Sequence, residues 1–179
     1  MKTRYTRTAI ALHWLIALGL AGVVGLGFYM HDLPLSPAKL QLYSWHKWAG
    51  VTLFLLALFR LFWRATHLPP ELPATMSLFT RLAAHGAHAA LYGLMLVIPL
   101  SGWLMSSAKG FTTVWFGVLP LPDLVGKDAA LGEQLQAAHV WLNYALLALV
   151  AAHFAAALKH RLIDRDDILD RMLPGSGQH

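Results

Sequence analysis

The chain contains no cysteine and few charged residues, and these two deficits exclude several classes of protein. Without cysteine there is no disulfide, no thiolate zinc site, no iron–sulfur cluster and no C-x-x-C-H attachment of a c-type haem. Only 13% of the residues are charged, whereas 57% are hydrophobic. A soluble domain carries about 25% charged residues. The 179 residues therefore predict one membrane domain, residues 1–179.

Motifs that bind soluble cofactors are also absent. The sequence has no G-x-G-x-x-G, no P-loop and no H-E-x-x-H. No soluble domain is present to hold a nicotinamide or a flavin. If the protein moves electrons, they must come from a small molecule, a quinone or another protein.

Four apolar runs are each long enough to cross a bilayer as a helix, which takes about 20 residues. We predict spans at residues 9–30, 44–63, 78–105 and 133–162. The first run follows a basic N-terminus, as a secretory signal does. It is longer than the usual 7–15 or so apolar residues of such a signal, so we expect it to be retained. The fold class is an all-α membrane protein, a four-transmembrane-helix bundle.

The segment between the third and fourth spans is predicted to be a loop, because it is rich in glycine and proline. Its aromatic residues suggest that part of it rests at the membrane interface. Pro99 predicts a kink in the third span. The charged tail at residues 161–174 is predicted to be a solvated or interfacial end of the fourth helix.

The cationic residues are unevenly divided between the two sides of the membrane. With four spans, both termini lie on one side, and that side carries Lys2, Arg4, Arg7, Arg60, Arg64, Arg81, Lys159, Arg161, Arg165 and Arg171. The other side carries Lys39, Lys47, Lys109 and Lys127. Cytoplasmic loops are enriched in lysine and arginine, so we predict that both termini are cytoplasmic. Because the cationic residues are distributed in this way, the formal net charge of +5 indicates a membrane rather than nucleic acid as the partner.

Four of the ten histidines lie in the spans at two matched depths. His13 is about 9 Å inside the cytoplasmic boundary and His153 about 12 Å, at about 1.5 Å per helical residue. His46 and His139 lie just inside the outer ends of the second and fourth spans. Ionisable residues in a membrane are costly and usually face the bundle interior, so we expect each pair to meet there.

The fourth helix supplies one histidine at each depth. His139 and His153 lie within about 40° of each other around the helix axis and about 21 Å apart along it. Imidazoles are common metal ligands. The pairs therefore predict two metal or haem sites, with a flat macrocycle held between two helices. A proton-relay or ion-transport bundle is the alternative.

Small residues near these histidines are candidates for close approach of a ring to the backbone. Gly50 lies on the His46 face of its helix, and Gly19, Gly22 and Gly25 recur at three-residue spacing in the first span. Helix packing is the other explanation for these glycines.

Three further histidines lie near the cytoplasmic boundary. His85 and His88 lie on one side of the third helix and compete with His13 or His153 as ligands. His160 ends the fourth helix. Reduction of a quinone takes up two protons, and histidine titrates near physiological pH. His85, His88 and His160 are therefore candidates for a quinone site.

Several motifs in this order resemble the bacterial cytochrome b561 family. They are R-x-x-I-x-x-H-W at 7–14, His46 and Gly50 with Arg60 and Arg64, L-A-A-H-G-A-H-x-x-x-Y-x-x-x-x-x-x-P at 82–99, H-x13-H from His139, and L-x-R-M-x-P at 169–174. The resemblance covers nearly the whole chain.

This resemblance implies a dihaem b-type cytochrome in the bacterial inner membrane. In related membrane cytochromes of formate dehydrogenases and hydrogenases, the fourth-helix histidines are divided between the haems. The resemblance thus implies that His13 and His153 hold the cytoplasmic-side haem iron, and that His46 and His139 hold the periplasmic-side one. Whether His88 replaces His13 is left open.

The short form of the chain is similar to the superoxide oxidases, which pass electrons from periplasmic superoxide to ubiquinone. A cationic entrance would attract the superoxide anion. The candidates for it are Lys39, Lys47 and Lys109, although the lysines and acids of the outer side balance formally.

Two other functions remain. One is a cytochrome b anchor that passes electrons between quinone and a dehydrogenase or another redox protein. The lack of an appended domain favours superoxide oxidation over this role. The other is a histidine-lined ion or metal transporter without haem.

Overall fold

The computed structural model describes residues 4–73 and 76–175, and these residues form four long α-helices. The helices are α1 (Arg7–His31), α2 (Pro37–Thr66), α3 (Leu78–Ala108) and α4 (Ala129–Lys159). All four are long and apolar enough to cross a membrane. The predicted four-helix membrane fold is thereby confirmed.

Each helix begins where the sequence supplies a side-chain oxygen that caps the free backbone N–H groups. The hydroxyls of Thr6, Ser36 and Ser77 each accept a hydrogen bond of 3.2 Å from the residue three positions later. The carboxylate of Asp128 accepts one of 3.0 Å from Leu131. Such a cap stabilises a helix by about 1 kcal/mol. Because of these caps, α2 begins at Pro37 and α4 at Ala129, before the apolar runs that predicted them.

Helices that follow each other in the chain pack side by side, α1 on α2, α2 on α3 and α3 on α4. The bundle therefore has two distinct ends. The terminal end contains both ends of the described chain and comprises residues 4–7, 64–73, 76–78 and 159–175. The loop end comprises residues 31–37 and 109–128. A hydrogen bond of 2.9 Å from Trp63 Nε1 to Thr6 Oγ1 joins α2 to the start of α1 at the terminal end.

The predicted loop between α3 and α4 contains a short antiparallel hairpin, with β1 at Val114–Trp115 and β2 at Leu119–Pro120. Three residues connect the paired Trp115 and Leu119, and the first two of them, Phe116 and Gly117, have positive φ, 51° and 73°. Glycine adopts this left-handed conformation readily, but it is strained for a bulky residue such as Phe116.

The hairpin lies against α2 at the loop end. Trp48 Nε1 donates to the Val114 carbonyl at 2.6 Å, and Trp115 Nε1 donates to Thr52 Oγ1 at 3.3 Å. One indole of α2 and one indole of the hairpin each donate a hydrogen bond to the other element, and these bonds hold the hairpin against the helix. Sequence periodicity did not indicate strands in this segment.

The C-terminal tail departs from the prediction that it extends helix four. A π-helical turn at His160–Asp164 ends α4, and a short 3-10 turn at Asp170–Met172 follows. Trp14 Nε1 donates to the Met172 carbonyl at 2.9 Å, and Arg4 donates to the Leu173 carbonyl at 2.8 Å. The tail therefore folds back onto the start of α1 at the terminal end.

An ion pair within the tail supports this conformation. Arg171 Nη2 lies 2.7 Å from a carboxylate oxygen of Asp167. Its hydrogen bond holds the pKa of the Asp167 carboxyl below the usual range. Arg171 also donates to the Glu71 carbonyl at 2.7 Å, so the tail is joined to the connection between α2 and α3.

Large apolar side chains cover the outside of the bundle. Leu18, Phe62 and Trp141 are 70%, 63% and 72% exposed. Apolar patches of this extent are unusual on soluble proteins but suit a surface in contact with lipid acyl chains. The bundle interior is the place where the histidines meet.

Candidate functional site

At the loop end, one histidine of α2 faces one histidine of α4. The ring centres of His46 and His139 are 6.3 Å apart, and the ring planes are 76° from each other. Both side chains are partly buried. The predicted outer pair of histidines is thus brought together across the bundle.

The His139 ring is oriented by α3. Its Nδ1 lies 3.1 Å from the Ile98 carbonyl oxygen and 2.9 Å from Ser101 Oγ. Ser101 Oγ itself donates to the Ile98 carbonyl at 2.7 Å. Because the carbonyl only accepts, Nδ1 is the protonated nitrogen of His139. Nε2 then keeps its lone pair, as a metal-binding imidazole requires.

Two glycines make room for the loop-end rings. A Cβ on Gly102 would lie 3.1 Å from His139 Cε1, and a Cβ on Gly27 would lie 3.2 Å from His46 Cε1. Both distances are shorter than ordinary van der Waals contact. The buried Nδ1 of His46 lies near the backbone of Val23 in α1 but completes no hydrogen bond of normal geometry.

At the terminal end, three histidines from three helices meet. The rings of His13 and His153 are 6.3 Å apart and 70° from each other. His88 of α3 lies 5.4 Å from His153, again nearly edge-on at 72°. The structure therefore brings the predicted inner pair together and places His88 beside it. The His13–His153 separation equals that of the loop-end pair.

A guanidinium lies next to the terminal-end cluster. Arg60 of α2 donates to the Ala9 carbonyl at 2.7 Å and to Tyr92 Oη at 3.1 Å. Its Nη2 lies 3.5 Å from His13 Nδ1. Sequence analysis counted Arg60 only as a boundary charge and family motif residue. In the structure its charge lies at the histidine cluster.

Comparison with known proteins agrees with this architecture. The family model described as prokaryotic cytochrome b561 matches residues 4–175. The chain belongs to the prokaryotic cytochrome b561 family. Cytochromes b561 are membrane electron-transfer proteins that bind b-type haem, so this chain is a multi-pass redox protein of a bacterial membrane.

Individual relatives cover nearly the same length as this cytochrome b561. It is similar to cytochrome b561 homolog 2 of Escherichia coli, at 36% identity over 95% of this chain and 91% of that protein. It is also similar to cytochrome b561 homolog 1 of the same organism, at 28% identity over 96% and 97%. A probable superoxide oxidase of Yersinia pestis is 26% identical over 97% of this chain and 98% of its own.

The three candidate quinone-site histidines lie in different environments in this cytochrome b561. His85 is exposed on the outside of α3, whereas His88 points into the bundle toward His153. His160 Nδ1 lies 2.7 Å from Asp166 and 3.2 Å from Asp164, at the turn that ends α4. His88 therefore lies among the histidines of the bundle interior, whereas His85 lies on the bundle surface and His160 at the end of α4.

The three candidate superoxide-entry lysines also differ. Lys39 donates to the Leu33 carbonyl at 2.5 Å, at the end of α1. Lys109 forms an ion pair of 2.9 Å with Glu133. Lys47, next to His46 in the sequence, donates to the Phe111 carbonyl at 3.4 Å and forms none of the ion pairs found in the described parts of the chain.

The glycines that sequence spacing selected differ from those that approach the histidines. A Cβ on Gly19 would meet a side-chain atom of Leu53 at 2.7 Å, which identifies a helix-packing position. A Cβ on Gly22, Gly25 or Gly50 would meet no atom within 4 Å. Gly27, Ser101 and Gly102 were not identified from the sequence. A search for small residues at the depth of His46 and His139 would have found them.

Proposed function

We propose that this cytochrome holds two b-type haems and transfers electrons from superoxide at the loop end to ubiquinone at the terminal end. The loop end would face the periplasm and the terminal end the cytoplasm, across the inner membrane. The excess of lysine and arginine at the terminal end supports this orientation. The name of the Yersinia pestis relative supports superoxide as the electron donor.

The single observation that carries the proposal is the equal spacing of two histidine pairs. Both pairs have ring centres 6.3 Å apart. A metal–imidazole bond is about 2 Å, so ring centres a little over 6 Å apart would allow both rings of a pair to reach one iron. We therefore assign His46 and His139 to one haem iron, and His13 and His153 to the other. His88, at 5.4 Å from His153, fits this spacing less well.

When bound, b-type haems accept and release single electrons and so connect the two ends of the bundle. The protein contributes the ligands and their orientation. Ile98 and Ser101 keep the proton of His139 on Nδ1 and present Nε2 to the bundle interior. The apolar exterior keeps the histidines out of water, which favours neutral imidazoles.

The proposed reaction balances as two superoxide anions, one ubiquinone and two protons giving two molecules of dioxygen and one ubiquinol. Lys47 would attract the anion at the loop end, because its backbone adjoins His46 and it forms no ion pair among the described residues, Asp123 acting on it only from beyond ion-pair distance. At the terminal end, His85 and His160 would supply protons. His85 faces the lipid side, from which a quinone arrives, and His160 has two carboxylate neighbours.

The proposal is tested first by a reduced-minus-oxidised visible spectrum and a haem-per-chain measurement on purified protein. We expect two b-type haems per chain. A protein that remains colourless after haem supplementation would contradict the haem proposal. It would favour the alternative of a histidine-lined ion or metal transporter.

The second test is superoxide-driven ubiquinone reduction by the haem-loaded protein. We expect Lys47→Glu to slow the superoxide step most strongly at low salt, where attraction is least screened. Lys39→Glu is the matched control with the same change of charge, because Lys39 is occupied by carbonyl groups of its own connection. Two haems without superoxide turnover would instead favour a cytochrome b that exchanges electrons between quinone and a protein partner.

A further inference from the structure

The two histidine sites differ in the charge that surrounds them. Arg60 donates only to neutral groups, the Ala9 carbonyl and Tyr92 Oη, and its Nη2 lies 3.5 Å from His13 Nδ1. Among residues 4–73 and 76–175, no carboxylate forms an ion pair with Arg60. The guanidinium therefore keeps its full positive charge beside the terminal-end cluster.

The influence of Arg60 extends over the whole terminal-end cluster. Its charge acts electrostatically on His13, His88 and His153. In the described part of the chain, no cationic side chain acts in this way on His46 or His139. The contacts of His139 are instead with the neutral acceptors Ile98 and Ser101.

From this contrast we propose that Arg60 makes the terminal-end haem the stronger electron acceptor, so that electrons run from the loop end to the terminal end. This inference rests on the two-haem function proposed above. Ferric iron with two neutral imidazoles carries one more positive charge than ferrous iron. A fixed cation beside His13 penalises the ferric state and raises the reduction potential there.

Ser101 and Ile98 act in the opposite direction at the loop end. When Nδ1–H of an iron-bound imidazole donates to an oxygen, the ligand becomes more basic and stabilises the ferric state. This lowers the reduction potential of the loop-end haem. Arg60 thus raises the reduction potential of the terminal-end haem, and Ser101 and Ile98 lower that of the loop-end haem. None of these residues binds iron itself.

The experiment is a redox titration in two backgrounds that keep one haem each. In His46→Ala only the terminal-end haem remains, and in His13→Ala only the loop-end haem remains. Adding Arg60→Gln to the His46→Ala background should make one-electron reduction of the terminal-end haem about tenfold less favourable. This corresponds to a midpoint potential lower by roughly 59 mV. Arg60→Gln should leave the potential in the second background unchanged.

Two further variants separate charge from structure. Arg60→Lys keeps the charge and should restore most of the potential. If Arg60→Gln does not fold, Tyr92→Glu places a carboxylate against Arg60 and should lower the terminal-end potential in the same way. Ser101→Ala should raise the reduction potential of the loop-end haem alone. The change should be smaller than the decrease that Arg60→Gln causes at the terminal-end haem.

Unchanged or raised terminal-end potentials in Arg60→Gln and Tyr92→Glu would overturn the role of Arg60 while leaving the two-haem function intact. Loss of haem from the parent protein, seen in its visible spectrum, would instead overturn the function itself. The potentials are measured on the resting protein with mediators, so they do not depend on superoxide or quinone turnover.

Discussion

The loop-end and terminal-end histidine sites share one ring separation but are built from different interactions. At the loop end, neutral hydrogen bonds orient the ring of His139, and two glycines make room for the rings of His46 and His139. At the terminal end, a guanidinium and a third histidine adjoin the pair, and the tail adjoins Trp14, whose ring contacts His13. Equal geometry with unequal surroundings would allow the protein to hold the two proposed haems at different reduction potentials.

The largest expected effect tests whether the histidines act as two separate pairs. His46→Ala with His139→Ala removes both partners of one pair, and we expect one haem per chain to remain. His46→Ala with His153→Ala removes one partner from each pair, and we expect no stable haem. The measurement is haem per chain on purified protein. Equal haem loss in the two double variants would contradict the pairing.

The next effect concerns the extra histidine of the terminal end. We expect His88→Ala to keep both haems, because His13 and His153 already have the spacing of the loop-end pair. His13→Ala should lose one haem. Spectra and haem content of the two variants compare them directly. The reverse result would make His88 the ligand and His13 its neighbour.

A smaller effect on haem retention is expected from the close approach of Gly102 to the His139 ring at the loop end. Gly102→Ala places a methyl group 3.1 Å from His139 Cε1, so the ring must move by a few tenths of an ångström. Overpacking of this kind costs about 1–3 kcal/mol. We expect faster transfer of the loop-end haem to a haem-scavenging protein.

The matched control for that variant is Gly22→Ala on the exposed side of α1. A Cβ at Gly22 meets no atom within 4 Å, so haem release should stay at the parent rate. If Gly22→Ala and Gly102→Ala release haem equally fast, the contact with His139 is not the cause.

The smallest effect concerns the tail at the terminal end. Trp14→Phe removes the indole hydrogen bond to the Met172 carbonyl, which contributes about 1 kcal/mol. The tail should then open roughly fivefold more often. Faster trypsin cleavage after the exposed Arg165 would report this opening, with the lipid-exposed Trp141→Phe as control. Identical cleavage rates would show that the indole does not hold the tail.

Residue depth in the sequence was sufficient to group the histidines correctly in space. Long apolar helices have a fixed rise, so the distance of His13 and His153 from the boundary arginines translates directly into height. That relation placed His13 with His153 and His46 with His139 before any coordinates. Their assignment as haem ligands remains a prediction.

Contacts that depend on rotation about the helix axes were not predictable in the same way. Spacing along the sequence selected Gly22, which faces outward, and did not select Gly102, which meets His139. Nor did it show that Arg60 turns inward to His13 rather than outward to the membrane surface. The tail was missed for another reason, since its fold-back depends on tertiary hydrogen bonds from Arg4 and Trp14 rather than on local propensity.

Both histidine pairs draw one partner from α4, the last of the four helices to be synthesised. A nascent chain that has inserted only its first three helices contains His13, His46 and His88 but neither complete pair. If the pairs hold haem as proposed, neither haem could gain both of its histidine ligands before α4 is in place.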